Sequence, residues 1–356
     1  MKSTFKLRIY ESWDEVEDPS FVEQWRTWIE NAPSPHVFFH PALAIAWAKV
    51  YRSLHDISPL YVLAENGETR FFLPLVVWKR NWKNAFVRML VPVGYAEFDY
   101  HDPLVTQSVS PALLESYWSE IYGAVFQGRR RLFDIVEIPG IRQPGAGEGW
   151  ERSGELCPYA RLSDFSNYSA YQASLGKRLR KDIVYQAKRL GKQGAVELKR
   201  YEAENMAEAV AALRQFLEVH GRKWPNAYKA EGLHEAMLRS GMAAGVVDFT
   251  ELTLNGQPVS WHFGFRYRKR YYYYMPAYSE EFRGFSPGKV HLARLSEEAF
   301  RQGMDIFDHL RGEENYKSGW AAGALELHAY RGNASSVLSR LRQSAYEGLR
   351  SLRAMG

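Results

Sequence analysis

Two Asn-Gly steps, Asn66-Gly67 and Asn255-Gly256, constrain this chain of 356 residues more than any other feature. Each stands between apolar runs of strand composition, residues 62–77 and 251–265. Asn-Gly is the pair that two-residue hairpin loops select, because both loop positions need a left-handed backbone. The surroundings repeat too. Ahead of the first hairpin, helical periodicity covers residues 20–30 and 41–53. After it come a strand at 86–93, a helix carrying Leu114, Tyr117, Ile121 and Val125, and a strand at 131–138. Ahead of the second hairpin, Leu175, Leu179, Ile183 and Leu190 mark one amphipathic helix, and Met206, Val210, Leu213 and Leu217 another. After it come a strand at 270–275, a helix from Pro287 to about Arg301 and a strand at 304–310. Both series reach a Phe-Asp pair, Phe133-Asp134 and Phe307-Asp308. This order predicts an α/β (α+β) chain of two tandem modules, each a mixed twisted sheet flanked by helices, over residues 1–165 and 166–356. The linker is expected near residues 161–168, after a Gly/Pro-rich loop at 139–154.

A single cysteine, Cys157, excludes a disulfide framework and a multi-thiolate metal site, and no His lies near it in sequence to activate it as a nucleophile. The start carries no apolar stretch behind its lysines, and no window of about 18 residues is apolar throughout. A cytoplasmic protein is expected, with attachment to the inner membrane face as an option. The net charge is +5, but residues 177–200 alone hold nine Lys or Arg against Asp182 and Glu197. Such a patch suits phosphates, nucleic acid or an anionic membrane, and equally a solvated helix face. The tail at 337–352 reads as a basic amphipathic helix, packed on the second module or touching an anionic membrane.

Chemistry concentrates between Tyr271 and Lys317. Pro276 cannot donate to a ladder, so its strand must bulge or lie on an edge there. Ser286-Pro287-Gly288 is a helix start, with Ser286 as N-cap and Pro287 at the first helical position. Free N–H groups and the helix dipole bind anions there, and Arg283 and Lys289 add charge, so 283–289 is either a pyrophosphate cradle or an ordinary cap. Asp308, Glu313, Tyr316 and Lys317 follow a buried strand, where Lys317 could meet developing oxyanion charge. His262 and His220 are candidate bases, His262 on a strand and His220 at a helix end beside Trp224. The tyrosine run 271–274 reads as core packing or as a platform for a ligand ring.

The series Tyr278-x3-Phe282-x3-Ser286-Pro-Gly288, then Gly303-x4-Asp308-x3-Gly312-Glu313-x2-Tyr316-Lys317-x2-Trp320, resembles the acetyltransferase domain of GNAT-superfamily proteins of exopolysaccharide and cellulose biosynthesis clusters, related to the Fem aminoacyltransferases. Ser174-x3-Arg178-x2-Lys181 and Leu217-x2-His220-x-Arg222-x-Trp224 extend the resemblance, as do Phe39-His40-Pro41 and Asp99-Tyr100-x-Asp102-Pro103. It implies acyl transfer from acyl-CoA to an amine of a sugar or cell-envelope precursor, without metal. Ser286, Pro287, Gly288 and Lys289 would receive the donor's phosphates. Asp308, Tyr316 and Lys317 would surround the acceptor, with Arg178, His220, Trp224 and Glu313 binding it. Ser279 stands where an aspartate is common, which weakens any role for that carboxylate. No counterpart of the tRNA-binding helical hairpin of Fem enzymes is evident, which favours a coenzyme A thioester. Aminoacyl-tRNA as donor, and a non-catalytic polyanion-binding protein, are the alternatives.

Overall fold

The computed structural model describes residues 4–225, 227–228, 230–312 and 314–354. The chain divides into two units, Met1–Glu155 with Glu326–Gly356, and Leu156–Leu325. In chain order the strands are β1 (Lys6–Tyr10), β2 (Asp56–Asn66), β3 (Thr69–Lys79), β4 (Arg88–Pro92), β5 (Leu104–Val105), β6 (Ile135–Ile141), β7 (Trp150–Arg161), β8 (Val196–Arg200), β9 (Val247–Leu254), β10 (Gln257–Tyr267), β11 (Arg270–Tyr278), β12 (Ile306–Asp308) and β13 (Gly323–Asn333).

In the first unit β1, β2, β3 and β4 pair antiparallel in sequence, and β6 joins β4 in parallel and β13 antiparallel. Alternate residues of β3 serve opposite faces. Phe71, Leu73, Leu75 and Val77 share a core with Leu114, Tyr117 and Ile121 of the Pro111–Ile121 helix. Phe72 packs edge-on against Trp25 of the Pro19–Asn31 helix. That helix starts on Asp18, whose carboxylate accepts from the Ser20 and Phe21 N–H groups, with Pro19 next.

The second unit repeats the plan: β8, β9, β10 and β11 pair antiparallel, and β12 joins β11 in parallel. Asn255 and Gly256 form the loop of the second hairpin, at φ 51° and 80°, as the sequence predicted; the first turns one residue later, on Gly67 and Glu68. Helix Pro287–Arg301 lays Leu292, Ala293, Leu295 and Ala299 on Tyr271, Tyr273 and Phe307. Those tyrosines are core, buried at Tyr271, Tyr272 and Tyr273, rather than a ligand platform.

Three expectations are corrected. Residues 139–154 are not all loop, since β6 runs to Ile141 and β7 starts at Trp150, and the division falls at Glu155 rather than near 165. The C-terminal helix, Val337–Ala354, belongs to the first unit: the Ser339 hydroxyl donates to the Asp134 carboxylate at 2.7 Å, and the Gln343 amide donates to the Asp134 carbonyl at 2.6 Å. No helix among the described residues is long and apolar enough to cross a membrane.

Candidate active site

β11 and β12 stay together for only three pairs, Arg270 with Ile306, Tyr271 with Phe307 and Tyr272 with Asp308. β12 then ends, while β11 runs on to Tyr278 against β10 alone. From Tyr273 onward one edge of β11 is therefore open, and Pro276 sits in that open half, paired with His262 on its other side. The register also slips between Phe263, paired with Met275, and Phe265, paired with Tyr272, so β11 bulges with Tyr273 and Tyr274 opposite Gly264. A Cβ there would come within 2.2 Å of His262 Cε1 and 2.6 Å of the Tyr272 carbonyl oxygen, so only glycine fits. Of the two alternatives expected at Pro276, the open edge is the one that holds there, and the bulge lies a few residues earlier in β11.

The Pro287–Arg301 helix begins beside the far end of β11. Ser286 does not cap it as the sequence suggested. Its backbone is left-handed at φ 48°, and no side chain caps the helix start. The Lys289 and Val290 N–H groups bend to the Ser286 carbonyl. A Cβ on Gly288 would lie 3.4 Å from the Tyr278 ring, an ordinary contact, which places the helix start beside that ring.

The basic helix, Lys177–Gly191, abuts this start, a relation the sequence did not reveal. Arg189 donates to the Gly284 carbonyl at 2.8 Å and lies over the Phe285 ring at 5.0 Å. Lys289 ion-pairs with Asp182 of the same helix, and its ammonium holds that carboxyl below the usual range. Lys289 is thus already neutralised, whereas Arg178, one turn before Asp182, is exposed. Arg283 makes only a solvent-exposed pair with Glu280 at 3.7 Å. Lys223 lies 5.5 Å from the Trp224 ring centre and 5.9 Å from that of Tyr278, which brings Trp224 to the same end of β11.

Three residues expected around the acceptor are held in buried contacts. Asp308 is buried, paired with Arg270 at 2.9 Å and accepting from the Leu310 N–H at 2.9 Å, so it fixes the turn after β12. Lys317 is buried as well, donating to the Arg311 carbonyl at 2.7 Å and pairing with Glu314 at 3.0 Å. His220 is buried with Nδ1 2.7 Å from the Tyr228 hydroxyl, and burial pushes it down to about 4. Glu313 lies outside the described residues. Tyr316 is 39% exposed, and its hydroxyl is hydrogen-bonded to that of buried Tyr273.

The polar groups left over lie at the fork. His309, the first residue past β12, is fully buried, and neither ring nitrogen has a hydrogen-bond partner among the described residues. Its ring stands 5.9 Å from that of Tyr273, the first residue past the last β11–β12 pair. Burial and nearby Lys317 push His309 down to about 3. On the other side of Tyr273, His262 stacks at 4.4 Å and 8°. The Tyr271 hydroxyl donates to the Asp248 carboxylate at 2.7 Å, so its oxygen is left to accept from His262 Nδ1, 3.1 Å away. That fixes Nε2 as the unprotonated nitrogen, and it is buried with no partner among the described residues. Burial, with Arg200 adding, pushes His262 down to about 3 and keeps the ring neutral. Sequence reading named His262 but missed His309, whose only signal was an imidazole alternating with Phe307 on a buried strand.

Residues 177–318 match the Acetyltransferase (GNAT) domain family. Over that stretch the chain is similar to a GNAT acetyltransferase domain. The match runs from the basic helix to just past Lys317, so it takes in the fork and the helix start. FemX shares the fold over 91% of this chain and 98% of its own, with a TM-score of 0.61 at 10% identity. A conserved protein of unknown function from Bacteroides thetaiotaomicron VPI-5482 does so over 91% and 99%, with a TM-score of 0.52 at 11% identity. At such identities the likeness is one of fold. No curated protein sequence matches the chain. Among the described residues no group of His, Cys, Asp and Glu is arranged to hold a metal ion.

Proposed function

We propose that the GNAT domain moves an acyl group from acyl-CoA to an amine of a sugar or cell-envelope polysaccharide precursor, by direct aminolysis of the thioester. The observation that carries this reading is the fork between β11 and β12 beside an uncapped helix start. An extended donor can follow the open edge of β11, with its diphosphate at Gly288 and its thioester at the fork. The dipole and N–H groups of the Pro287–Arg301 helix, Arg283 and the basic helix supply the positive field for those phosphates. At the fork the amine nitrogen attacks the carbonyl carbon, the new C–N bond forms and the C–S bond breaks. His262 Nε2 is the lone pair offered to the amine N–H, and the thiolate must regain a proton. Tyr273 and Tyr316 share two hydroxyl protons and one mutual hydrogen bond, so one proton is left to donate; Tyr316 is the exposed member of the pair.

Titration calorimetry with acetyl-CoA and longer acyl-CoAs tests the donor site. Wild type is expected to bind, and Gly288→Trp to bind at least about tenfold more weakly, because an indole would fill the space beside Tyr278. No thioester bound, or affinity untouched by the tryptophan, overturns the reading. If tRNA displaces the donor and coenzyme A does not, an aminoacyl-tRNA is the donor instead. His262→Gln is expected to lower kcat about 100-fold with acyl-CoA affinity unchanged. A full kcat in that variant removes His262 from the chemistry.

A further inference from the structure

The Val337–Ala354 helix hides Ser339 and Gln343 against the first unit and shows solvent a different face. Leu338, Leu341, Ala345, Gly348 and Leu352 follow one another at steps of three and four, one continuous apolar stripe, and all five are exposed. The turn between β3 and β4 packs against this helix and leaves Trp82 67% and Phe86 61% exposed. Phe86 is held there by a backbone in the left-handed region, at φ 51°, directly after Ala85 at 53°. Two large aromatic and three leucine side chains in water, on adjoining elements of one unit, form more exposed apolar surface than a folded chain usually leaves.

The charges around the stripe decide what covers it. Arg340 and Arg350 are exposed on the helix, Lys83 lies 5.7 Å from the Trp82 ring centre, and Arg80 lies over Trp78 at 4.0 Å. The exposed acids nearby are Glu347 on the helix and Asp56, which is within 3.5 Å of Lys79. A second copy of the chain would bring like charges together, whereas an anionic surface would neutralise them. Apolar stripe, aromatic tips and flanking Arg and Lys are the composition of a helix lying in a lipid interface.

We infer that this face docks on an anionic lipid surface, with Trp82, Phe86, Leu338 and Leu341 entering the boundary between headgroups and acyl chains. The inference rests on the first unit and is independent of the acyl-transfer reading. Flotation with phosphatidylcholine vesicles, with and without phosphatidylglycerol, tests it on the full chain. Wild type is expected to float only with the anionic vesicles, and less as salt rises. The double variants Trp82→Ala/Phe86→Ala and Leu338→Ser/Leu341→Ser are each expected to weaken this at least about tenfold while melting as wild type does. Their affinity for acyl-CoA without vesicles is expected to be unchanged. Three results each overturn the inference: no flotation at low salt, equal flotation by the variants, or self-association of wild type that the same substitutions abolish.

Discussion

Asp248→Ala is expected to destabilise the second unit by about 3–5 kcal/mol. The Asp248 carboxylate is fully buried and holds Arg200 at 2.7 Å, Arg266 at 3.2 Å and the Tyr271 hydroxyl at 2.7 Å. Removing it leaves two guanidinium groups facing one another with no counter-charge at that point. Breaking a buried pair from one side costs about 3–5 kcal/mol, against a whole-domain stability of about 5–15 kcal/mol. Arg200 keeps Glu298 at 3.1 Å, which limits the damage but does not replace Asp248. Asp248→Asn retains the shape and one acceptor, so it is expected to cost less. Urea unfolding followed by far-UV circular dichroism measures both variants. A loss under about 1 kcal/mol for the alanine would mean the network contributes little.

Acid is expected to destabilise the second unit steeply. Burial pushes His220 and His234 down to about 4, and His262 and His309 down to about 3, with His291 lower than its ordinary value as well. Unfolded, each takes up a proton near pH 6.5. Between that pH and the folded values the unfolded chain binds more protons, so stability falls as pH falls. From pH 7 to pH 5 each fully protected imidazole contributes a loss of about 2 kcal/mol. Five such groups lie in the second unit; in the first, His40 is pushed to about 4, His55 is lowered, and His36 and His101 are buried as well. Glu298, held at about 2 by Arg301, Gln302 and Arg200, adds a further loss only below its unfolded value of 4.5. Calorimetric scans at pH 7, 6 and 5 are expected to show the second unit's transition moving down steeply. A transition that stays unmoved would contradict the assignment of these histidines as neutral.

The duplicated hairpin order was readable because it rests on local chemistry, the Asn-Gly turns and the apolar periods around them. Helix 287–301 was readable for the same reason, through Pro287 and its apolar face. β7 was not, because Gly154 and Pro158 give it the composition of a loop, and its strand character comes from neighbours distant in sequence. β13 carries a period-two pattern through Leu325, Leu327 and Ala329 that reading by element order passed over. At the site, residue types were visible but their partners were not. Asp308 and Lys317 drew attention as charges, yet Arg270 and the Arg311 carbonyl absorb them. The basic helix was seen as a patch, but its seat against the 280–289 segment depends on Lys289 meeting Asp182, 107 residues away. Ser286 followed the rule for caps, and the left-handed turn that frees the helix start is set by the turn before it.

The split membership of the chain has a bearing on how it is made. Residues 1–155 leave the ribosome first, but β6 is flanked by β13, which is synthesised only after the whole of Leu156–Leu325. Until then the margin of β6 that carries Ile138 and Ile141 has no neighbour to bond, an open template for unwanted pairing. The inserted unit holds β8 to β12 entire, with the end of β7 that pairs with β12, and can close first. The first unit is thus completed only after the whole of the inserted one, and a nascent chain halted before residue 326 would hold the inserted unit tethered to an unfinished one.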